Sequence, residues 1–224
     1  MGMVGVSEKD RAHRVLNILF QEFGKVEVTR RDLEPFEALV ATVLSQHTND
    51  LNSGRAFKNL SVRFRVTPET IALADEEELG EAIKVAGLYR NKARMLKRLA
   101  QTLVQEFKGS LNSLFTLPLD EARQRLMRLP GVGPKTADVL LLFSMHMPTF
   151  PIDTHIWRVS KRTGFASQKA GYEETRRTLQ ILYSPALYME AHLLLIRLGR
   201  SYCKARKPRC FTCPVRFECP KLYT

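Results

Sequence analysis

The sequence predicts an all-α fold, and three observations carry that prediction. Apolar residues recur every three or four positions along most of the chain. No segment shows the two-residue alternation of a half-buried strand. Gly or Pro marks short loops between the helical runs, with no repeat and no low-complexity linker. A chain of 224 residues is long enough to bury a core without disulfides.

The first helix is expected behind Ser7 and Asp10, which resemble a capping box with Asp in place of Glu. It carries Ala12, Val15, Leu16, Leu19, Phe20 and Phe23 at helical spacing and stops at Gly24. Pro35 opens a second, with Phe36, Leu39, Val40, Val43 and Leu44 on one face. Thr67-Pro68, an N-cap followed by proline at the first helical position, and Asp75 mark two further starts. A long basic helix runs from about Tyr89 to Phe107 and is closed by Gly109. The remaining helices fall at about Asp120–Arg128, Pro134–Ser144, Thr154–Lys161, Tyr172–Tyr183 and Ala186–Gly199. The cysteine-rich tail is too short to bury a core of its own.

Hydrophobic residues at 44% and charged residues at 26% exclude a disordered chain. Lys and Arg together number 35 against 23 Asp and Glu, a net charge of +12. Such an excess suits a polyanionic partner, because each neutralised phosphate releases condensed counterions. The first seven residues lack the basic and apolar regions of a secretory signal, and apolar stretches such as Val139–Phe143 are far too short to span a bilayer. The chain is therefore expected to be intracellular, in cytoplasm or nucleoid. All four cysteines lie between Cys203 and Cys219, which in a reducing compartment points to a metal or cluster site rather than disulfides. Six, two and five residues separate Cys203, Cys210, Cys213 and Cys219, a donor set that suits tetrahedral zinc or a four-iron cluster.

The most informative stretch is Leu129-Pro130-Gly131-Val132-Gly133-Pro134-Lys135-Thr136-Ala137. A helix ends near Leu129, Gly131 and Gly133 flank one apolar residue, and a new helix starts with Pro134 at its favoured place. Glycines allow positive φ and close approach of another backbone. Uncapped amides at the next helix start, at the positive end of its dipole, make an anion site. Ala137 lets the two helices pack closely. This is the pattern of a helix-hairpin-helix, which holds a DNA phosphate by main-chain amides without reading sequence; a plain tight turn between core helices has the same outline. Lys135 sits in the first turn, where the dipole disfavours an ammonium and partial burial would lower its pKa from roughly 10.4. Such an amine can attack a sugar carbon and form a Schiff base, or simply contact a phosphate.

Phe150-Pro151-Ile152-Asp153-Thr154-His155-Ile156-Trp157-Arg158-Val159 reads as an extended approach to a helix with Asp153 at its N-cap. Capping keeps the carboxylate ionised, and in a cavity it could steady an oxocarbenium-like sugar or move protons to a departing base. Many N-cap aspartates do nothing more than cap.

Taken together, Leu129–Ala137 with Lys135 and Ile152-Asp153-Thr154-His155 resemble the endonuclease III family of helix-hairpin-helix DNA glycosylases, from about Glu34 to Cys219. The resemblance implies that Lys135 attacks C1′ of the lesion nucleotide. It implies that Asp153 supports expulsion of the base, and that the imine permits β-elimination, cleaving the strand on the 3′ side. Gly87-Leu88-Tyr89-Arg90-Asn91-Lys92-Ala93 is similar to the family's wedge loop, whose leucine, here Leu88, enters the base stack during flipping. Leu44-Ser45-Gln46-His47-Thr48-Asn49-Asp50 is similar to the family's Leu-Ser-x-Gln-Thr-x-Asp segment, with one departure. His47 stands where the family has the glutamine that fills the vacated space in the duplex, and Gln46 takes the variable position. The departure leaves open the opposite base and the lesion.

The cysteine spacing is the one this family uses for a [4Fe-4S] cluster. From Arg197 to Thr224 there are eight basic residues against one acid, Glu218, and Lys204, Arg206 and Lys207 lie inside the first cysteine loop, where they would meet phosphates. The implied architecture is two all-α lobes. Residues 28–147 form a six-helix barrel-like lobe with the helix-hairpin-helix; residues 1–27 and 148–224 form the cluster lobe, with a DNA-binding cleft between. The implied protein is a monomer that binds double-stranded DNA with a damaged base or abasic site, and has no membrane partner. It removes oxidised pyrimidines; the alternative on the same fold is a thymine or uracil mismatch glycosylase, or one for 8-oxoguanine. Two other readings are a non-enzymatic helix-hairpin-helix module and a zinc-binding nucleic-acid protein.

Overall fold

A computed structural model describes residues 6–25 and 33–220, and of Val6 and Ser7 the backbone alone. The described residues form α-helices and short 3-10 turns and contain no strand. The chain divides into two compact units, Met1–Thr29 with Pro148–Thr224, and Arg30–Met147.

The central unit begins with α2 (Pro35–Ser45), opened by proline at its first position and by Glu37, whose side chain accepts from the Glu34 amide at 3.1 Å. α3 (Asp50–Arg63) follows and went unseen in the apolar pattern. Its buried face is only Ala56, Phe57 and Leu60, and Gly54 and Ser53 weaken its propensity, so its periodicity is thin. Its start is set by Asn49, which accepts from the Asn52 amide at 2.8 Å. α4 (Pro68–Leu73) and α5 (Glu76–Ala82) start where Thr67 and Asp75 cap them, and both pack on α6 (Tyr89–Phe107). α6 ends with Lys108 and Gly109 at φ of 53° and 73°, closed by the Gly109 amide on the Leu103 carbonyl. α7 (Leu119–Met127) and α8 (Pro134–Phe143) complete the unit. Leu39, Val43, Leu60, Ile71, Leu79, Leu96, Leu103 and Leu141 are inaccessible and form one core. At about 25 cal/mol per Å², this burial is the main force holding the helices together.

The second unit joins α1 (Val6–Phe23) to α9 (Thr154–Arg162), α10 (Tyr172–Leu182) and α11 (Tyr188–Ser201). α1 begins at Val6, so Ser7 lies in its first turn rather than at the cap; Gly24, at φ 69°, ends it with its amide on the Phe20 carbonyl. A 3-10 turn at Pro185–Leu187 precedes α11, which therefore starts two residues later than Ala186. Phe150 is fully buried, edge-on to Tyr188 and stacked on Tyr183. No single helix among the described residues is long and apolar enough to cross a membrane.

Candidate active site

In the central unit, Gly131 adopts φ 77°, and a Cβ there would displace the Met95 side chain, so glycine is strongly favoured. Gly133 is different. It is extended, at φ −89° and ψ 179°, with nothing within 4 Å of a would-be Cβ, so the protein itself does not require glycine there. Gly133 is the N-cap of α8 and offers no side-chain cap; Pro134 has no amide, and the first amides of a helix lack intrahelical partners. The hairpin therefore presents free N–H groups beside open space, which is what an anion needs.

Lys135 is exposed at the second position of α8, and the partial burial expected of it is not found: Pro134 and Gly133 beside it leave it open to solvent. Thr136, Ala137 and Asp138 turn inward instead. Asp138 is fully buried and takes a two-pronged bond from Arg123 of α7, at 2.9 and 3.2 Å, so an ion pair fixes the two arms of the hairpin.

Two further segments of this unit carry candidate DNA contacts, and one of them touches the hairpin. Gln46, a candidate DNA contact, is half-buried; its amide donates to the Gly131 carbonyl at 3.2 Å and reaches Thr136 Oγ1 at 3.5 Å. His47 is exposed at φ 54°, a left-handed conformation that histidine adopts more readily than most residues. Leu88 is 58% exposed and also left-handed, at φ 48°, directly after Gly87 at φ 66°. An apolar side chain held outward in a costly backbone conformation points to function.

In the other unit, Asp153 caps α9, accepting from the Ile156 amide at 2.7 Å, and is partly exposed. Its approach is clamped on both sides. The buried His192 donates from Nδ1 to the Pro151 carbonyl at 3.0 Å, and the Ile152 amide donates to the Tyr172 hydroxyl at 3.3 Å. His155 lies against Gly199 and accepts on Nδ1 from Arg158 at 3.1 Å; burial, and the Arg158 and Arg200 cations, lower its pKa from 6.5 despite Asp153 nearby.

The four cysteines are not joined in disulfides and line one cavity with Leu198, Tyr202 and Val215. Burial pushes the Cys213 thiol up to about 11. Arg162 donates to the Lys204 carbonyl at 2.6 Å and to the Cys203 sulfur at 3.7 Å, and Arg158 donates to the Cys203 carbonyl at 2.7 Å. α9 thus holds the first cysteine loop in place. Lys204 is half-buried, whereas Arg206 and Lys207 are exposed on that loop. Among the described residues no three His, Cys, Asp or Glu side chains are close enough to hold one metal ion.

Sequence reasoning did not find Lys92, His192, Tyr172 or Arg158, whose bonds reach across 20 to 48 positions. The local signals were Lys92 inside the wedge-loop pattern and Arg158 inside the stretch that carries Asp153.

Residues 40–185 match the HhH-GPD superfamily of base excision DNA repair proteins. The chain is 37% identical to endonuclease III of Bacillus subtilis over 185 residues, 83% of this chain and 80% of that one. With endonuclease III of Escherichia coli it shares 35% identity over 186 residues, 83% of each chain. Among solved structures, a non-covalent endonuclease III–DNA complex superposes with a TM-score of 0.82 at 34% identity over 95% of both chains. A trapped endonuclease III–DNA covalent intermediate gives 0.81 at 34% identity, covering 95% of this chain and 96% of that one. A thermostable thymine-DNA glycosylase shares the fold, with a TM-score of 0.77 at 20% identity.

Proposed function

The chain belongs to the HhH-GPD superfamily and within it to the endonuclease III family, and from that premise we propose that it excises oxidised pyrimidines and nicks the resulting abasic site. It is a DNA glycosylase and lyase of base excision repair, and double-stranded DNA is its partner.

The observation that carries the site assignment is Lys135 itself, exposed on the first turn of α8 beside the uncapped amides of the hairpin. The amides hold a backbone phosphate without reading sequence. A nucleotide docked there displaces the water around the Lys135 amine. The amine, having passed its proton to solvent, attacks C1′, forming a C–N bond as the bond to the base breaks. Asp153, fixed by its capping bond and by the clamped Pro151-Ile152 approach, stabilises the developing positive charge on the sugar and handles the proton that the departing base needs. The C1′–O4′ bond of the resulting aminal then breaks as O4′ takes a proton, which opens the sugar to a protonated imine; the imine acidifies the C2′ position, and loss of that proton expels the 3′ phosphate, which is β-elimination. Leu88, His47 and Gln46 belong to the segments that enter or line the opened duplex, and Lys204, Arg206 and Lys207 meet phosphates.

The cysteine cavity fits a [4Fe-4S] cluster: four thiols face one space lined by apolar groups, with the Arg162 guanidinium against the Cys203 sulfur. Cys203, Cys210, Cys213 and Cys219 would hold it, and the cluster would supply iron–thiolate bonds that fix the basic loop.

A lesion panel tests the substrate. Duplexes carrying one thymine glycol, one 5-hydroxycytosine, one 8-oxoguanine or one T·G mismatch are compared in single-turnover excision. Fastest release of the two oxidised pyrimidines is expected. His47, in place of the family's glutamine, supports as the second reading a thymine or uracil mismatch or 8-oxoguanine glycosylase on the same fold, and fastest release from T·G or of 8-oxoguanine would establish it.

A further inference from the structure

Among the described residues Lys92 is the one buried lysine, only 4% exposed, and its burial lowers its pKa from the ordinary 10.5. Its chemistry is unusual for a core position. The Nζ group donates to the Leu44 carbonyl at 2.9 Å and to the Ala86 carbonyl at 3.0 Å. Both carbonyls lie at helix ends: Leu44 in the last turn of α2, Ala86 at the end of the 3-10 turn Lys84–Ala86. Carbonyls there lack helical partners and sit at the negative end of the dipole, which suits a cation. The Lys92 main-chain amide adds a third bond, to the Leu88 carbonyl at 3.0 Å.

Both segments held this way contain left-handed backbone. Gly87 and Leu88 follow Ala86 at φ of 66° and 48°; His47 lies three residues past Leu44 at φ 54°. Left-handed conformations in non-glycine residues persist only when their surroundings over-determine them. Gln46, between Leu44 and His47, in turn bonds to the Gly131 carbonyl of the hairpin at 3.2 Å. The Leu88 loop, the end of α2 and the hairpin are therefore joined by two side chains, Lys92 and Gln46.

We propose that Lys92 is a positioning residue that sets the Leu88 and His47 segments in register with each other, so that both engage the duplex in one event when a base is extruded. The inference rests on the reading that these segments enter DNA. It goes beyond that reading by assigning base extrusion a dependence on a buried ammonium that touches neither DNA nor the reacting atoms.

The test compares Lys92→Met, which keeps chain length and removes the donors, with the unmodified protein in two assays. One is single-turnover excision of thymine glycol from a duplex, which requires a stacked base to be extruded. The other is borohydride trapping on a duplex with a preformed abasic site, where no base needs extruding. Extrusion costs a few kcal/mol, so excision is expected to fall roughly ten- to a hundred-fold, and by at least about ten-fold more than trapping. The same substitution is then made in a Leu88→Ala His47→Ala background. If Lys92 acts through those side chains, its effect there shrinks toward nothing; residues that merely share a fold give additive losses. Equal losses in the two assays, or additive losses in the cycle, would overturn the proposal. Should Lys92→Met fail to fold, Lys92→Gln takes its place in the same cycle. Unmodified protein that neither excises nor traps would refute the functional reading instead, and is thereby distinguished.

Discussion

Removing the Arg123 guanidinium with Arg123→Met puts the hairpin's internal support to a quantitative test. Asp138 has no exposed side-chain surface and Arg123 retains only 11%, and the two are joined at 2.9 and 3.2 Å. Removing one partner of such a pair leaves a charge in a poorly solvating site, which costs about 3–5 kcal/mol. A domain of ordinary stability has about 5–15 kcal/mol in total, so the variant sits near the edge of folding. Replacing both residues, Arg123→Met with Asp138→Leu, removes the charge as well as the partner, and pairs of this kind are often neutral when so replaced. The assay is urea denaturation followed by circular dichroism, with midpoint and slope fitted for the two single variants, Arg123→Met and Asp138→Leu, and the double. The double is expected to recover most of what Arg123→Met loses. Two results would refute the reasoning: an Arg123→Met variant within about 1 kcal/mol of the parent, or a double variant no more stable than the worse single. The first would mean that the pair is effectively solvated; the second that packing, not charge, sets the cost.

The hairpin glycines are expected to separate stability from binding. Gly131→Ala meets Met95 and a positive φ and loses about 1–3 kcal/mol in the same denaturation assay, whereas Gly133→Ala stays within about 0.5 kcal/mol but weakens DNA affinity by filling the space a phosphate needs. Neutralising Arg206 and Lys207 together lowers binding to all sequences alike, and the slope of log affinity against log salt falls by about 0.9 for each phosphate no longer neutralised; an unchanged slope means the loop does not touch DNA. Acid stability depends on His155. Its pKa is lowered on folding, so between that lowered value and 6.5 the unfolded chain binds more protons; stability rises with pH across that window and is lost as pH falls through it. Denaturation at about pH 7.5 and about pH 5 should show a smaller acid loss in His155→Gln than in the parent.

Much of the fold was legible because helices are local. Caps at Thr67 and Asp75, proline at Pro35 and Pro134, and glycine at Gly24 and Gly109 each act within one turn, and each marks a boundary within a residue or two of the observed one. α3 was not legible, because a helix with three buried residues and an internal glycine leaves little apolar period to read; Asn49 was its one clear signal. The site divides along the same line. Asp153 as a cap and Gly131 at positive φ follow from neighbours in sequence. The exposure of Lys135 does not, since it depends on how Thr136 to Asp138 turn toward α7 and the core. The Lys92 bonds to Leu44 and Ala86, the His192 bond to Pro151 and the Arg158 bond to Cys203 are fixed only by tertiary packing. No spacing rule announces them.

The central claim is that one amine, on Lys135, becomes covalently joined to the sugar. Borohydride reduction of the protein on a duplex carrying one abasic site, followed by proteolysis and mass spectrometry of the adduct, measures it directly. The account predicts a single cross-linked peptide containing Lys135, and no adduct from a folded Lys135→Gln variant that still binds the duplex. An adduct on any other residue, or trapping that survives Lys135→Gln at the parent's yield, would contradict it.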